Sequence, residues 1–252
     1  MRTLVLWLAL LLPSVAIAEA EQIVLGLSHD EVAITATFTG TDILIFGAVK
    51  RDTPIPQGSP LQVLITVSGP LTPVTVRHKE QRYGIWINTS SVAVDAAPSF
   101  YAVATTGPLR DVLSETEDLR RSISIPRAIR SIGAAVENSA DYTDALIRIR
   151  AGEGQYRVLE GAVDLEQQTL FRTQVALPAN LIEGNYATRI FLTRDGRVVD
   201  SFATEIAVQK VGLERWLFKL SRDFPLLYGL LSLAIAIVAG WSASAAFQGT
   251  RR

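Results

Sequence analysis

The sequence contains no cysteine. That absence excludes disulfides, thiolate nucleophiles, iron–sulfur clusters, cysteine zinc sites and the acylated cysteine of a bacterial lipoprotein. Histidine occurs only at His29 and His78, and methionine only at Met1. Lysine and arginine number 24 against 25 aspartates and glutamates, a net charge of −1, so there is no basic surplus for nucleic acid. With 252 residues the chain has room for one or two domains. An ordinary hydrophobic core must hold any folded part. Charge itself is missing from one long stretch, residues 225–247, PLLYGLLSLAIAIVAGWSASAAF.

That stretch is what the rest of the chain is organised around. A helix of roughly 20 residues crosses a hydrocarbon core of about 30 Å and satisfies its own backbone hydrogen bonds there. The spacing predicts one transmembrane helix over 225–247; a buried core helix rarely stays uncharged for so long. Residues 1–18 read as a secretory signal peptide: Arg2, the apolar run LVLWLALLL at 4–12, then Pro13, Ser14 and the small residues of Ala16-Ile17-Ala18. Cleavage before Glu19 is the first choice and before Glu21 the second; an uncleaved anchor is the other reading. The expected topology is single-pass in a bacterial inner membrane, with the N-terminal domain in the periplasm and a cytoplasmic tail at 248–252. The outer flank carries Lys210, Arg215, Lys219 and Arg222 against Arg251 and Arg252 in the tail. The positive-inside rule alone therefore favours the opposite orientation, but an exported domain preceding the helix fixes its direction.

Residues 19–107 are strand-like. The runs at 32–38 and 43–49 flank Gly40-Thr41-Asp42 and read as a hairpin. Pro54, Pro56, Gly58 and Pro60 mark a loop. Strands at 62–68, 73–78, 84–88, 91–94 and 100–105 follow, with Gly/Pro turns between them. The period then changes to helical over 108–152, with Pro126 suited to a first helical turn and Gly152 to a stop. Residues 153–210 return to strands at 156–159 and 170–177, with a hairpin turning at Asp195-Gly196. The fold class is mainly β: an immunoglobulin-like β-sandwich ectodomain with a helical insert or connector, plus one C-terminal transmembrane helix. Whether the two β regions form one domain or two is left open. Residues 211–224 read either as an amphipathic juxtamembrane helix at the membrane interface or as a plain extension of the span. Tyr228 and Trp241 sit toward the two ends of the span, where aromatic belts form.

Catalytic chemistry finds little purchase. Ser28-His29-Asp30 holds the letters of a hydrolase triad, but neighbours in a strand alternate faces and triad members must converge; no G-x-S-x-G elbow occurs. No H-x-H or H-E-x-x-H spacing supports a metal. Arg77, His78, Lys79 and Arg82, next to Trp86, form a basic cluster that suits an anion or a carboxylate, or else a solvated strand edge. In the span, Ala236, Gly240 and Ser244 recur at spacing four, a face on which a partner helix packs closely in lipid.

Two segments carry a family resemblance: LSHDEVAITATFTGTDILIFGAVKR at 27–51 and RYGIWINTSSVAVDAAPSFYAVATTGPL at 82–109. With the N-terminal signal and the C-terminal span, they make the chain resemble the alphaproteobacterial putative transmembrane protein family over nearly its full length. The resemblance implies an inner-membrane protein facing the periplasm. It brings no catalytic residues and associates such chains with a neighbouring sulfite-exporter-like permease. The expected function is a non-enzymatic, membrane-anchored periplasmic accessory or interaction module without a cofactor. It contacts the bilayer and a membrane-protein partner through the transmembrane helix, and assists a transporter. The alternative is a periplasmic domain that binds or senses a small anion.

Overall fold

The computed structural model describes residues 21–29, 31–35, 38–51, 54–55, 58–130, 139–210, 217 and 220–249. The expected signal peptide, Asp30, most of the juxtamembrane segment and the last three residues of the tail lie outside them. The chain is mainly β with one C-terminal apolar helix.

One four-stranded sheet runs in the order β1 (Gln22–Leu27), β3 (Thr41–Lys50), β10 (Leu170–Leu177), β9 (Asp164–Glu166). A six-stranded sheet runs β2 (Glu31–Ile34), β12 (Arg197–Lys210), β11 (Gly184–Arg194), β4 (Gln62–Ser68), β7 (Tyr101–Thr105), β8 (Tyr156–Leu159). A third, two-stranded ladder is the hairpin β5 (Leu71–Arg82) and β6 (Ile85–Pro98). Pairing is antiparallel except for β2 with β12 and β7 with β8.

The sheets stack because their inner faces alternate in step. On β10, Phe171, Thr173, Val175 and Leu177 point inward while Arg172 and Gln174 point out. Phe171, Val175 and Leu177 meet Ile43, Ile45, Val63, Ile65, Tyr186, Ile190 and Ile206 in one core. β4 instead is buried on both faces, so QVLITVS reads as a continuous run rather than an alternation. Its Val63, Ile65 and Val67 face the other sheet. Leu64 faces a second core built with Tyr101, Phe191 and the helices. Those helices are α1 (Leu109–Val112), α2 (Glu115–Arg121), α3 (Ile125–Ala128) and α4 (Ser139–Gly152). They form a third layer with the base of the β5–β6 hairpin, through Val76, Val94, Ile123, Ile129 and Leu146.

The regions 19–107 and 153–210 thus share both sheets: β3 pairs with β10, and β4 with β11. The hairpin expected across Gly40-Thr41-Asp42 does not form. β3 pairs with β1 and β10, and β2 lies in the other sheet, parallel to β12. Gly40, at φ +112°, passes the chain from one sheet to the other. A turn signal fixes the local backbone and leaves the partner strand undetermined. The hairpin across Asp195-Gly196 forms as the sequence indicates, with φ +49° and +71° at its two central residues.

The chain leaves the six-stranded sheet at the end of β12 and enters α5 (Pro225–Gly249). Helical bonding starts before the proline: the Phe224 amide donates to the Leu220 carbonyl and the Tyr228 amide to that of Phe224, both at 3.0 Å. Residues Pro225–Ala243 are long and apolar enough to cross a membrane, and none of them is buried against the rest of the protein. Core helices bury such a surface, so this one needs another apolar medium.

Candidate functional site

The basic cluster lies on the β5–β6 hairpin. Alternation divides it between two faces. His78, Glu80 and Arg82 share the face of the buried Val76, and Arg77 and Lys79 occupy the other. Trp86 stands opposite Gln81, and Asn88 opposite Lys79, so Trp86 belongs with Arg77 and Lys79. The cluster also contains a carboxylate. Glu80 lies 3.7 Å from His78 Nδ1 and 3.2 Å from Arg82 Nη2, with all three side chains well exposed. The Arg77 and Lys79 side chains make no hydrogen bond or ion pair among the described residues. The five residues named from the sequence therefore do not converge on one anion.

A cleft does open beside them. Val76, Arg77 and His78 of β5 and Asp141, Tyr142 and Ala145 of α4 line about 230 Å³. The Tyr142 and Ser90 hydroxyls lie 2.6 Å apart and tie the hairpin to α4. Its walls carry one aspartate, one arginine and one histidine, a mixed rather than anion-selective lining.

Ser28 and His29 do touch, against the expectation from strand alternation: Ser28 Oγ lies 3.0 Å from His29 Nδ1. β1 has ended at Leu27, so alternation no longer separates them. Both residues are exposed, and Ser28 Oγ also accepts the Leu44 amide at 3.1 Å. Both side chains are open to solvent, and among the described residues no carboxylate is recorded against the ring; Asp30 lies outside them. Among the described residues no group of three or more His, Asp or Glu could hold a metal.

Two polar centres were missed in the sequence. Glu21 accepts from Arg51 Nε at 2.6 Å and from Arg194 Nη2 at 2.7 Å, with all three side chains nearly buried. Arg194 also donates to the Ser59 carbonyl at 2.6 Å, and Arg51 to that of Gln168. Burial pushes the Glu21 carboxyl up, but the two guanidiniums outweigh it and hold it below its ordinary value. The second centre is Arg189. It donates to the Arg121 and Ser122 carbonyls at 2.9 and 3.0 Å and to the Tyr101 hydroxyl at 3.1 Å. Its guanidinium also lies 5.5 Å from the Phe191 ring centre. This places a cation at the C-terminus of α2, where the helix dipole is negative, and fixes the helical layer to the sheet. Both centres join residues far apart in sequence, so no local pattern announces them.

On α5, Ala236 and Gly240 are exposed, and a Cβ added at Gly240 would meet open space. Ser244 continues the same row along the helix, its side chain lying outside the described ones. Among the described residues, nothing packs against Gly240 to demand a small residue there.

A family model described as "Putative transmembrane protein (Alph_Pro_TM)" matches residues 22–249. The chain belongs to this family. No curated protein matches it. Membership in Alph_Pro_TM covers the β layers, the helical layer and α5 together, and the family name agrees with the exposed apolar helix as a membrane span.

Proposed function

We propose that this Alph_Pro_TM protein is a non-enzymatic accessory module. α5 anchors it in the bacterial inner membrane, with the β domain in the periplasm, and it assists a membrane-protein partner, a transporter in the reading from resemblance. One observation carries the reading: an apolar helix that is not buried against any of the described residues follows a well-packed domain. The Ala236/Gly240/Ser244 face supports close approach of a second helix in lipid.

The immunoglobulin-like reading belongs to the same proposal. The order β1-β3-β10-β9 matches A-B-E-D of such a sandwich, and β12-β11-β4 matches G-F-C. At the start of β11, the Tyr186 hydroxyl donates to the Ile182 carbonyl at 2.9 Å, in the manner of a tyrosine corner. On this reading the β5–β6 hairpin and the helices are insertions that serve recognition.

Crosslinking in native membranes followed by purification tests the partner. A discrete partner is expected with the wild-type chain and is lost with Gly240→Leu. Unchanged co-purification of every species with Gly240→Leu defeats the helix-face reading. The cleft beside His78 favours a second reading, a small-ligand site. A thermal-shift screen of the detergent-solubilised chain with sulfite and sulfate tests it, and no shift with either counts against it.

A further inference from the structure

The turn of the β5–β6 hairpin is built against its own backbone preference. Tyr83 and Gly84 have φ +52° and +82°, the signs a type I′ turn requires at both central positions. Asn-Gly is the favoured pair there; a bulky L-residue in the left-handed region is strained. Tyr83 is 104% exposed, so no contact within the fold offsets that strain. Ile85 and Trp86, next on β6, are 64% and 67% exposed. The turn thus presents an apolar, aromatic tip that the fold itself does not use.

Its flanks have a definite charge. Residues 77–91 carry three permanent cations, Arg77, Lys79 and Arg82, against the single carboxylate of Glu80, in a chain whose net charge is −1. Tryptophan and tyrosine beside lysine and arginine is the composition found where protein meets lipid headgroups. At about 3.4 Å per residue the strand from the buried Val76 to the turn is about 24 Å long, enough for the tip to stand clear of the core.

The topology brings this finger's root to the sheet end at which β12, the last strand before α5, finishes. Ser68, the last residue of β4, pairs with Ala187 near the start of β11 and with Tyr101 at the start of β7. Gly184, at the start of β11, pairs with Val208 near the end of β12, from which the chain departs for α5. A Cβ at Gly184 would stand 3.0 Å from the Pro70 ring, directly before β5. The hairpin therefore springs from the sheet end that delivers the chain to its span.

We infer that the Tyr83–Trp86 tip of the β5–β6 hairpin inserts into the interface of an anionic phospholipid bilayer, a second membrane contact that sets the domain's posture beside α5. The inference rests on α5 being a membrane span, which tethers the domain beside a bilayer. The two halves of the tip share the work: the aromatics enter the headgroup layer, and Arg77, Lys79 and Arg82 pair with lipid phosphates.

The absence of native cysteine makes the test direct. The full chain carrying Gln81→Cys, labelled with an environment-sensitive fluorophore, is reconstituted into phosphatidylcholine vesicles with and without phosphatidylglycerol, doped with spin-labelled quencher lipid. Glu153→Cys, exposed beyond α4, serves as the reference position. Flotation with the vesicles reports α5; quenching at position 81 reports the hairpin. The expected result is a blue shift and quenching several-fold above the reference, stronger with phosphatidylglycerol. It is reduced to the reference level by Tyr83→Asn with Trp86→Ser, substitutions compatible with the turn and with an exposed strand. Flotation without quenching at position 81 overturns the inference while leaving the anchor intact. A blue shift without lipid quenching means a protein surface or a second copy covers the tip, and overturns it equally. Equal quenching with and without phosphatidylglycerol removes the role of the basic flanks.

Discussion

Glu21 sits between two guanidiniums, each of which is itself nearly buried. Removing its charge leaves Arg51 and Arg194 without a carboxylate, and breaking such a buried arrangement costs about 3 kcal/mol. Glu21→Gln is therefore expected to lower the denaturant midpoint of the detergent-solubilised chain strongly at neutral pH. The folded-state pKa lies below the ordinary value of 4.5, so the stabilisation is fully present above that value. It fades as pH falls through the lower, folded-state pKa. The gap between wild type and Glu21→Gln should close in the same acid range; a gap that is absent at pH 7 contradicts the assignment. Tyr186 offers a second single-atom test. Tyr186→Phe removes one donor to the Ile182 carbonyl and should cost about 1 kcal/mol with the near-ultraviolet spectrum otherwise preserved. An unchanged midpoint would show that the corner carries no stability. At this scale the sequence is least legible. Glu21 and Arg194 are neighbours only after both sheets have closed, and Arg189 finds Tyr101 and the end of α2 only through tertiary packing.

Elements were legible wherever their cause is local. The Asp195-Gly196 turn, the helix start at Pro126, the stop at Gly152 and the apolar span all rest on backbone chemistry of adjacent residues. Pairing across Gly40 is not legible in sequence for the converse reason: two good strands beside a good turn belong to different sheets, because β2 finds its partner in β12. The basic run on β5 looks like one cluster in sequence, but strand alternation divides its side chains between two faces and Glu80 lies within it. A substitution at Gly196 separates these levels. Its φ is +71°, and a Cβ there would lie 3.0 Å from the Ser114 amide nitrogen. Gly196→Val should destabilise by about 2 kcal/mol through left-handed strain and crowding. Gly58→Ala, with open space around its Cβ, should stay within about 0.5 kcal/mol of wild type. Equal effects at the two positions would mean that the β11–β12 turn does not dictate the register.

At the scale of the whole molecule, three layers and one exposed helix answer different physical demands. Two sheets built from both halves of the chain enclose one core, and helices cover the outer face of the second sheet around another. α5 shares neither core. The composition anticipates this division, since the charge-free segment 225–247 and the charged remainder of the chain require separate solvents. It could not anticipate that the halves interleave, because strand order is set by non-local pairing. The account's central claim is that a folded β domain is held on the non-cytoplasmic side of the inner membrane by α5. Labelling Glu153→Cys with a membrane-impermeant maleimide in cells whose outer membrane alone is permeabilised tests it most directly. The prediction is full labelling without lysis, on a chain that stays with the membrane pellet through alkaline carbonate extraction. Labelling only after the inner membrane is broken, or release of the chain into the carbonate supernatant, would contradict it.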